Sequence, residues 1–248
     1  EYPAVLDVIE QEAGADSWVI PSIGPDFGRM LDQARILRGR GFPTAMALPM
    51  TAPATPEGVE TGLAKVAEAL GGPLIVYVKT GQYVTPAGLG RLARAGALCA
   101  IKYAIERPDP RQDDYLRALL GEVDRDIIVS GMGERPAIVH LREFGLRSFT
   151  SGSVSIAPRL STAILEACGR GDYTGAERIR EYFLPLEDLR DGLHQIRVLH
   201  EAVSLAGIAD MGRMLPLLSN IGAEHHAAIR DAARLLLARE REAIAEAA

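Results

Sequence analysis

The strongest constraint on the fold is an alternation. From Trp18 onward, short apolar runs alternate with segments whose apolar residues recur at helical spacing, and the runs begin every 21 to 30 residues. Residues 18–23, 43–48, 73–78, 98–102, 126–130 and 147–151 read as strands, although Pro21 weakens the first. Residues 27–38, 56–70, 86–95, 113–120 and 135–144 read as helices. Thr85-Pro86 shows how locally a start is written: Thr fits the N-cap and Pro the first helical turn. Strands that alternate with helices pair in parallel through helical crossovers. The rhythm fits a (β/α)8 barrel or a doubly wound sheet, and no G-x-G-x-x-G follows any strand, which weakens the second. The expectation is an α/β fold of the (β/α)8 TIM-barrel type.

After Pro158 the strands stop. Residues 158–169, 173–190, 195–206 and 221–246 read as helices separated by Gly and Pro. The sequence therefore divides into a barrel region, 1–157, and a region 158–248 holding the last barrel helix and a C-terminal helical domain. Closure needs eight strands and six are legible. Residues 1–14 read as the helix of an earlier unit. The expectation is that the first one or two strands precede Glu1, in about 40–55 residues at about 25–30 per unit.

Composition excludes several partners. The formal net charge is −6 and the pI about 5.5; nucleic-acid binders usually carry a basic face, so no nucleic acid is expected. No apolar stretch reaches the roughly 18 residues needed to cross a bilayer, so no membrane partner is expected. Cys99 and Cys168 are too few for a disulfide framework, and their apolar flanks fit a reduced, cytoplasmic setting.

Lys102 carries the clearest chemical signal. It ends the run Gly96-Ala97-Leu98-Cys99-Ala100-Ile101 and is one of only three lysines among 27 basic residues. The rest are arginines, which stay protonated, whereas a desolvated lysine can lose its proton and attack a carbonyl. The run Pro73-Leu74-Ile75-Val76-Tyr77 likewise ends in a hydroxyl able to move protons. Strand ends at the C-terminal mouth are where barrels hold their chemistry. The pair points to Schiff-base catalysis, with Lys102 Nζ and the Tyr77 hydroxyl expected within hydrogen-bond reach or one water apart.

In the order strand, Tyr, strand, Lys and helical tail, the chain resembles the dihydrodipicolinate synthase/N-acetylneuraminate lyase family. The resemblance is carried by Pro73-Leu74-Ile75-Val76-Tyr77, Ala100-Ile101-Lys102, Val129-Ser130-Gly131 and Phe149-Thr150-Ser151-Gly152 with Ile156-Ala157-Pro158. Weaker support lies in Val19-Ile20-Pro21-Ser22-Ile23-Gly24 and Leu215-Pro216-Leu217-Leu218. The resemblance implies a Schiff-base lysine at Lys102 and a proton-shuttling tyrosine at Tyr77. It places Gly131 and Thr150 against the 2-oxo acid, with Ser151 beside them. It implies a lyase, aldolase or dehydratase, acting on pyruvate or a related 2-oxo acid or 2-keto-3-deoxy sugar acid. No metal and no organic cofactor are implied, and the assembly is a homo-oligomer, tetramer or dimer.

Departures narrow that reading. Where the lysine-pathway synthases of the family carry an arginine about five residues after the tyrosine, this chain has Gln82. No tyrosine stands near Leu48-Pro49-Met50, and Tyr103 follows the lysine where Glu is common. These argue against dihydrodipicolinate synthase activity itself and leave a non-catalytic 2-oxo acid binding or structural homologue as the alternative. Lys79 lies on the Tyr77 side of its strand, as a solvated loop lysine or as a second cation for a substrate carboxylate. Thr150, Ser151 and Ser153 serve either substrate binding or helix capping. Glu224-His225-His226 reads as a solvated helix surface, since adjacent helical positions face apart. Cys99, three residues before Lys102, reads as core packing.

Overall fold

Local capping chemistry sets most helix starts. Asp26, Thr55, Thr85, Asp113 and Asp172 each accept a hydrogen bond from a backbone N–H three residues on, at the heads of α2 (Phe27–Leu37), α3 (Pro56–Leu70), α4 (Pro86–Arg94), α5 (Asp114–Leu120) and α8 (Tyr173–Arg180). Pro56 and Pro86 sit in first turns, where no N–H is needed. Gly71 ends α3 in the left-handed region, φ 77°, which only glycine adopts without strain. The computed structural model describes residues 1–14, 16–50, 53–214 and 216–246. Leu215, in the weaker of the family-like segments, lies outside the described residues. The chain divides into two compact units, Glu1–Val129 and Ser130–Ala248.

The first unit opens with α1 (Tyr2–Glu12) and then alternates strictly: β1 (Ser22–Ile23), α2, β2 (Ala45–Ala47), α3, β3 (Leu74–Val78), α4, β4 (Leu98–Tyr103), α5 and β5 (Ile128–Ser130). The strands order sequentially, β1-β2-β3-β4-β5, and β1 through β4 pair in parallel. A doubly wound sheet reverses direction at a switch point; this order never does, so that alternative is set aside. Alternate side chains pack toward the helices. Leu74, Val76, Val78, Ile101 and Tyr103 are fully buried, as are Met30, Leu63, Leu89 and Leu116 on α2, α3, α4 and α5.

The second unit holds α6 (Glu134–Glu143), α7 (Pro158–Gly169), α8, α9 (Leu184–Gly192), α10 (Gln195–Leu205) and α11 (His226–Glu246). Its core joins Ile138, Ile156, Ile164, Phe183, Leu186, Val198, Ile229 and Leu236. Buried Glu240 on α11 accepts from the amides of Arg159 and Leu160, satisfying donors that the start of α7 leaves free.

Three expectations needed correction. The first strand is confined to Ser22–Ile23, because Pro21 has no N–H to give, although its carbonyl accepts from Met46. The segment 147–151 pairs with Ser130 only through a bridge at Phe149. Residues 173–190 form two helices, α8 and α9. Pro185 lies in the first turn of α9, where its ring is incompatible with a helix running through from Glu181.

Candidate functional site

Register brings the two sequence-singled residues together. Tyr77 on β3 is the direct partner of Lys102 on β4, so both project from one face at the same end of a parallel pair. Each is half-buried, between fully buried neighbours that face the other way: Val76 and Val78, Ile101 and Tyr103. Lys102 Nζ lies 4.6 Å from the centroid of the Tyr77 ring. The contact is with the ring face.

The electrostatics of this pair follow from burial. Desolvation lowers the Lys102 amine below its usual value, and the charge of Lys79 lowers it further. Burial raises the Tyr77 hydroxyl, with the charge of Glu106 adding to the effect. Both shifts favour the neutral groups, a nucleophilic amine beside a protonated phenol. Lys79 is exposed just beyond the end of β3, and among the described residues neither it nor Lys102 pairs with a carboxylate. The arginines contrast with this: Arg91 clasps Glu60 through two bonds, and Arg40 holds Asp7 and Glu10.

Tyr103 points away from Lys102, being its neighbour on the strand. It is fully buried, donates its hydroxyl to Asp113, and stacks on Tyr115 at 6.1 Å between centroids. Asp113, itself fully buried, caps α5 and pairs with Arg107 at 3.3 Å. The unusual residue after the lysine thus serves the outer packing of the strand. Cys99 is exposed, not core. The ladder slips between Leu74 and Ile75, which pair with Leu98 and Ala100, so Cys99 is the extra residue of a bulge on β4. Its thiol meets the Leu74 carbonyl at 3.6 Å.

The remaining sequence candidates lie in the second unit. Gly131 directly follows β5 and is partly exposed. Thr150 is exposed; its amide donates to the Ser130 carbonyl at 2.8 Å and its carbonyl accepts from Gly133 N–H at 3.0 Å. The Ser151 hydroxyl is engaged at both ends, accepting from Val154 N–H at 3.2 Å and donating to Glu134 Oε2 at 2.8 Å. Ser153 is fully buried. Among the described residues no cluster of three or more His, Cys, Asp and Glu is arranged to hold a metal ion.

Sequence reasoning passed over the polar network behind Ser151. Glu134 is fully buried and also accepts from Ser161 at 2.8 Å, while its own amide donates to Glu187 Oε1 at 3.0 Å. Glu187 is fully buried beside Arg190, 3.5 Å away, and Arg190 donates to the Met132 carbonyl at 3.0 Å. Burial, with the charge of Glu134 next, pushes the Glu187 carboxyl up to about 7. The loop between β5 and α6 is therefore pinned from α9. The i, i+3 spacing of Glu187 and Arg190 was the available signal, and periodicity reads such charges as solvated.

The family model described as the Dihydrodipicolinate synthetase family matches residues 3–234. No curated protein matches the sequence. Among solved structures, a dihydrodipicolinate synthase from Oceanobacillus iheyensis is 22% identical with a TM-score of 0.79, covering 94% of this chain and 76% of that one. The dihydrodipicolinate synthase from Aquifex aeolicus is 17% identical, TM-score 0.81, covering 94% and 79%. A catalytic lysine mutant of the Ruminococcus gnavus sialic acid aldolase is 15% identical, TM-score 0.80, covering 97% and 79%. At these identities the likeness speaks to fold, and it bears out the α/β class expected from the alternation, shared with TIM-barrel proteins. Among the described residues no helix is long and apolar enough to cross a membrane.

Proposed function

This chain belongs to the dihydrodipicolinate synthetase family, and on that premise we propose that Lys102 forms a Schiff base with pyruvate or a related 2-oxo acid or 2-keto-3-deoxy sugar acid. Proteins of this family are lyases with a Schiff-base lysine. The observation that carries the assignment is the half-buried Lys102 amine, lowered by desolvation and registered against Tyr77 at the ends of adjacent parallel strands.

The neutral Nζ attacks the ketone carbon, and the carbinolamine loses water to give an iminium. The iminium draws electrons from C3: the C3–C4 bond breaks or forms through the enamine, or a C3 proton is removed and the enamine expels a 4-hydroxyl as water. Tyr77, held protonated, gives a proton to the leaving oxygen and takes it back when water hydrolyses the imine. The cycle needs no metal and no organic cofactor. Gly131, Thr150 and Ser151 are assigned to substrate binding on the family resemblance. The bond from the Ser151 hydroxyl to Glu134 fixes how that residue is held in its loop.

The protein is proposed to be a cytoplasmic homo-oligomer, tetramer or dimer, with a barrel region 1–157 and a helical region 158–248. Exposed apolar side chains in the tail, Ile196 and Leu217 at 58% and 95% exposure, support self-association. Gln82 in place of a second-carboxylate arginine argues against dihydrodipicolinate synthase activity itself. The contact of Nζ with the ring face favours a second reading, a homologue that binds 2-oxo acids without turning them over. Incubation with pyruvate and borohydride, followed by intact mass, separates the two: a stable adduct supports the lyase, and an unmodified protein supports the binder.

A further inference from the structure

The loop from β5 into α6 is fixed by a side chain that the proposed mechanism does not use. Gly131-Met132-Gly133 has two glycines in three residues, a chain that loses more conformational freedom than most on being ordered. It is nevertheless held at successive backbone groups. Arg190 Nη2 donates to the Met132 carbonyl at 3.0 Å, the Gly133 amide to the Thr150 carbonyl at 3.0 Å, and the Glu134 amide to Glu187 Oε1 at 3.0 Å. The first and last of these partners come from α9. The middle bond ties the loop to Thr150. Gly131 and Thr150, the residues assigned to the 2-oxo acid on the family resemblance, therefore belong to one hydrogen-bonded cradle.

The guanidinium is placed with care for this contact. Arg190 is buried, with Nη1 at 3.5 Å from Glu187 Oε1 and Nε at 3.1 Å from Asp191 Oδ1, which leaves Nη2 for Met132. A Cβ on Gly133 would fall 2.7 Å from Nη1, so only glycine lets Arg190 come this close. Replacing a buried ion pair by apolar side chains of similar volume is often neutral for stability, so stability alone does not account for a charge here. We propose that Arg190 is a positioning residue for substrate binding, its bond to the Met132 carbonyl keeping the Gly131 loop and Thr150 ordered before the 2-oxo acid arrives. This rests on the Schiff-base reading and adds to that site a residue remote from it in sequence.

The test follows borohydride trapping against pyruvate concentration, at one pH, to give a half-saturation and a maximal rate. Wild type is compared with Glu187→Gln, Glu187→Gln/Arg190→Met and Glu187→Gln/Arg190→Lys. On the Glu187→Gln background the loss of the guanidinium strands no Glu187 charge, and far-UV circular dichroism at the assay temperature checks folding. Without the guanidinium the loop is ordered only as pyruvate binds, so half-saturation rises by about tenfold, the cost of fixing about one backbone residue anew. The maximal rate, set by Lys102 once pyruvate is held, stays near that of the background, and Arg190→Lys recovers part of the affinity. Half-saturation that Arg190→Met leaves unchanged, or a maximal rate that falls in step with it, overturns the inference while the Schiff-base reading stands. A second measurement needs no variant: in unliganded wild type the Gly133 and Glu134 amides should resist hydrogen exchange as well as in the reduced pyruvate adduct. Protection that arises only in the adduct overturns the inference too. Wild type that traps no 2-oxo acid at all overturns the Schiff-base reading, and this role with it.

Discussion

Gly133→Ala is the sharpest test of how the loop after β5 is held. Gly133 has φ 85° and ψ −164°, a region open essentially to glycine alone, and forcing an L residue into it costs about 1–3 kcal/mol. A Cβ built there would lie 2.5 Å from Glu187 Oε1 and 2.7 Å from Arg190 Nη1, inside any permissible contact. Neither side chain has free space, since Glu187 is fully buried and Arg190 nearly so. Moving them sacrifices the Glu134 amide bond to Glu187 or the Arg190 bond to Met132, about 1–3 kcal/mol for a buried polar group left unpaired. The two contributions together come to roughly 2–6 kcal/mol, or a melting midpoint lowered by about 4–24 °C at this chain length. Gly96→Ala is the control: φ is 71°, yet no atom lies within 4 Å of the added carbon, so only the backbone cost of about 1–2 kcal/mol remains. Thermal unfolding followed by far-UV circular dichroism reads both. Equal losses in the two variants would show that the Glu187–Arg190 clamp does not hold the loop.

Other outcomes follow from the same geometry. Glu187 has its native pKa raised from 4.5 to about 7, so the folded protein holds this proton more tightly than the unfolded chain. The stability it contributes is present below about pH 4.5 and is lost as pH rises through 7. Glu187→Gln, which keeps an acceptor for the Glu134 amide, should therefore gain on wild type by about 2–3 kcal/mol between pH 4.5 and 8 in denaturant titrations; a constant difference across that range would contradict the assignment. Tyr103→Phe removes the buried donor to Asp113 and should cost about 1–3 kcal/mol by urea unfolding, with an unchanged midpoint counting against the bond. Tyr77→Phe should still form an adduct with pyruvate but turn over about 100-fold more slowly with whichever 2-oxo acid wild type cleaves, and full turnover would remove Tyr77 from proton transfer.

The parts of this fold legible in the sequence are those set by local chemistry. α3 runs over Pro56–Leu70 as expected, because Thr55, Pro56 and Gly71 fix both ends within a few residues. β3 and β4 were legible as continuous apolar runs, and sequential pairing then set Tyr77 beside Lys102. What escaped depends on partners distant in sequence. The bulge at Cys99 is a property of the pairing between β3 and β4, so no pattern within β4 announces it. Glu134, Glu187 and Arg190 are buried because they satisfy one another across more than 50 residues, whereas periodicity assigns charges to solvent. The meeting of Nζ with the Tyr77 ring is a matter of side-chain rotamers, which strand spacing does not specify.

The central claim is that Lys102, and not either of the other two lysines, is the nucleophile. The direct measurement is peptide mapping by mass spectrometry after incubation with pyruvate and borohydride, on wild type and on Lys102→Ala. The sequence has only Lys65, Lys79 and Lys102 to choose from. The account predicts one reduced pyruvyl adduct in wild type, on the peptide containing Lys102, and none in Lys102→Ala. An adduct on Lys65 or Lys79, or equal labelling of wild type and Lys102→Ala, would contradict it.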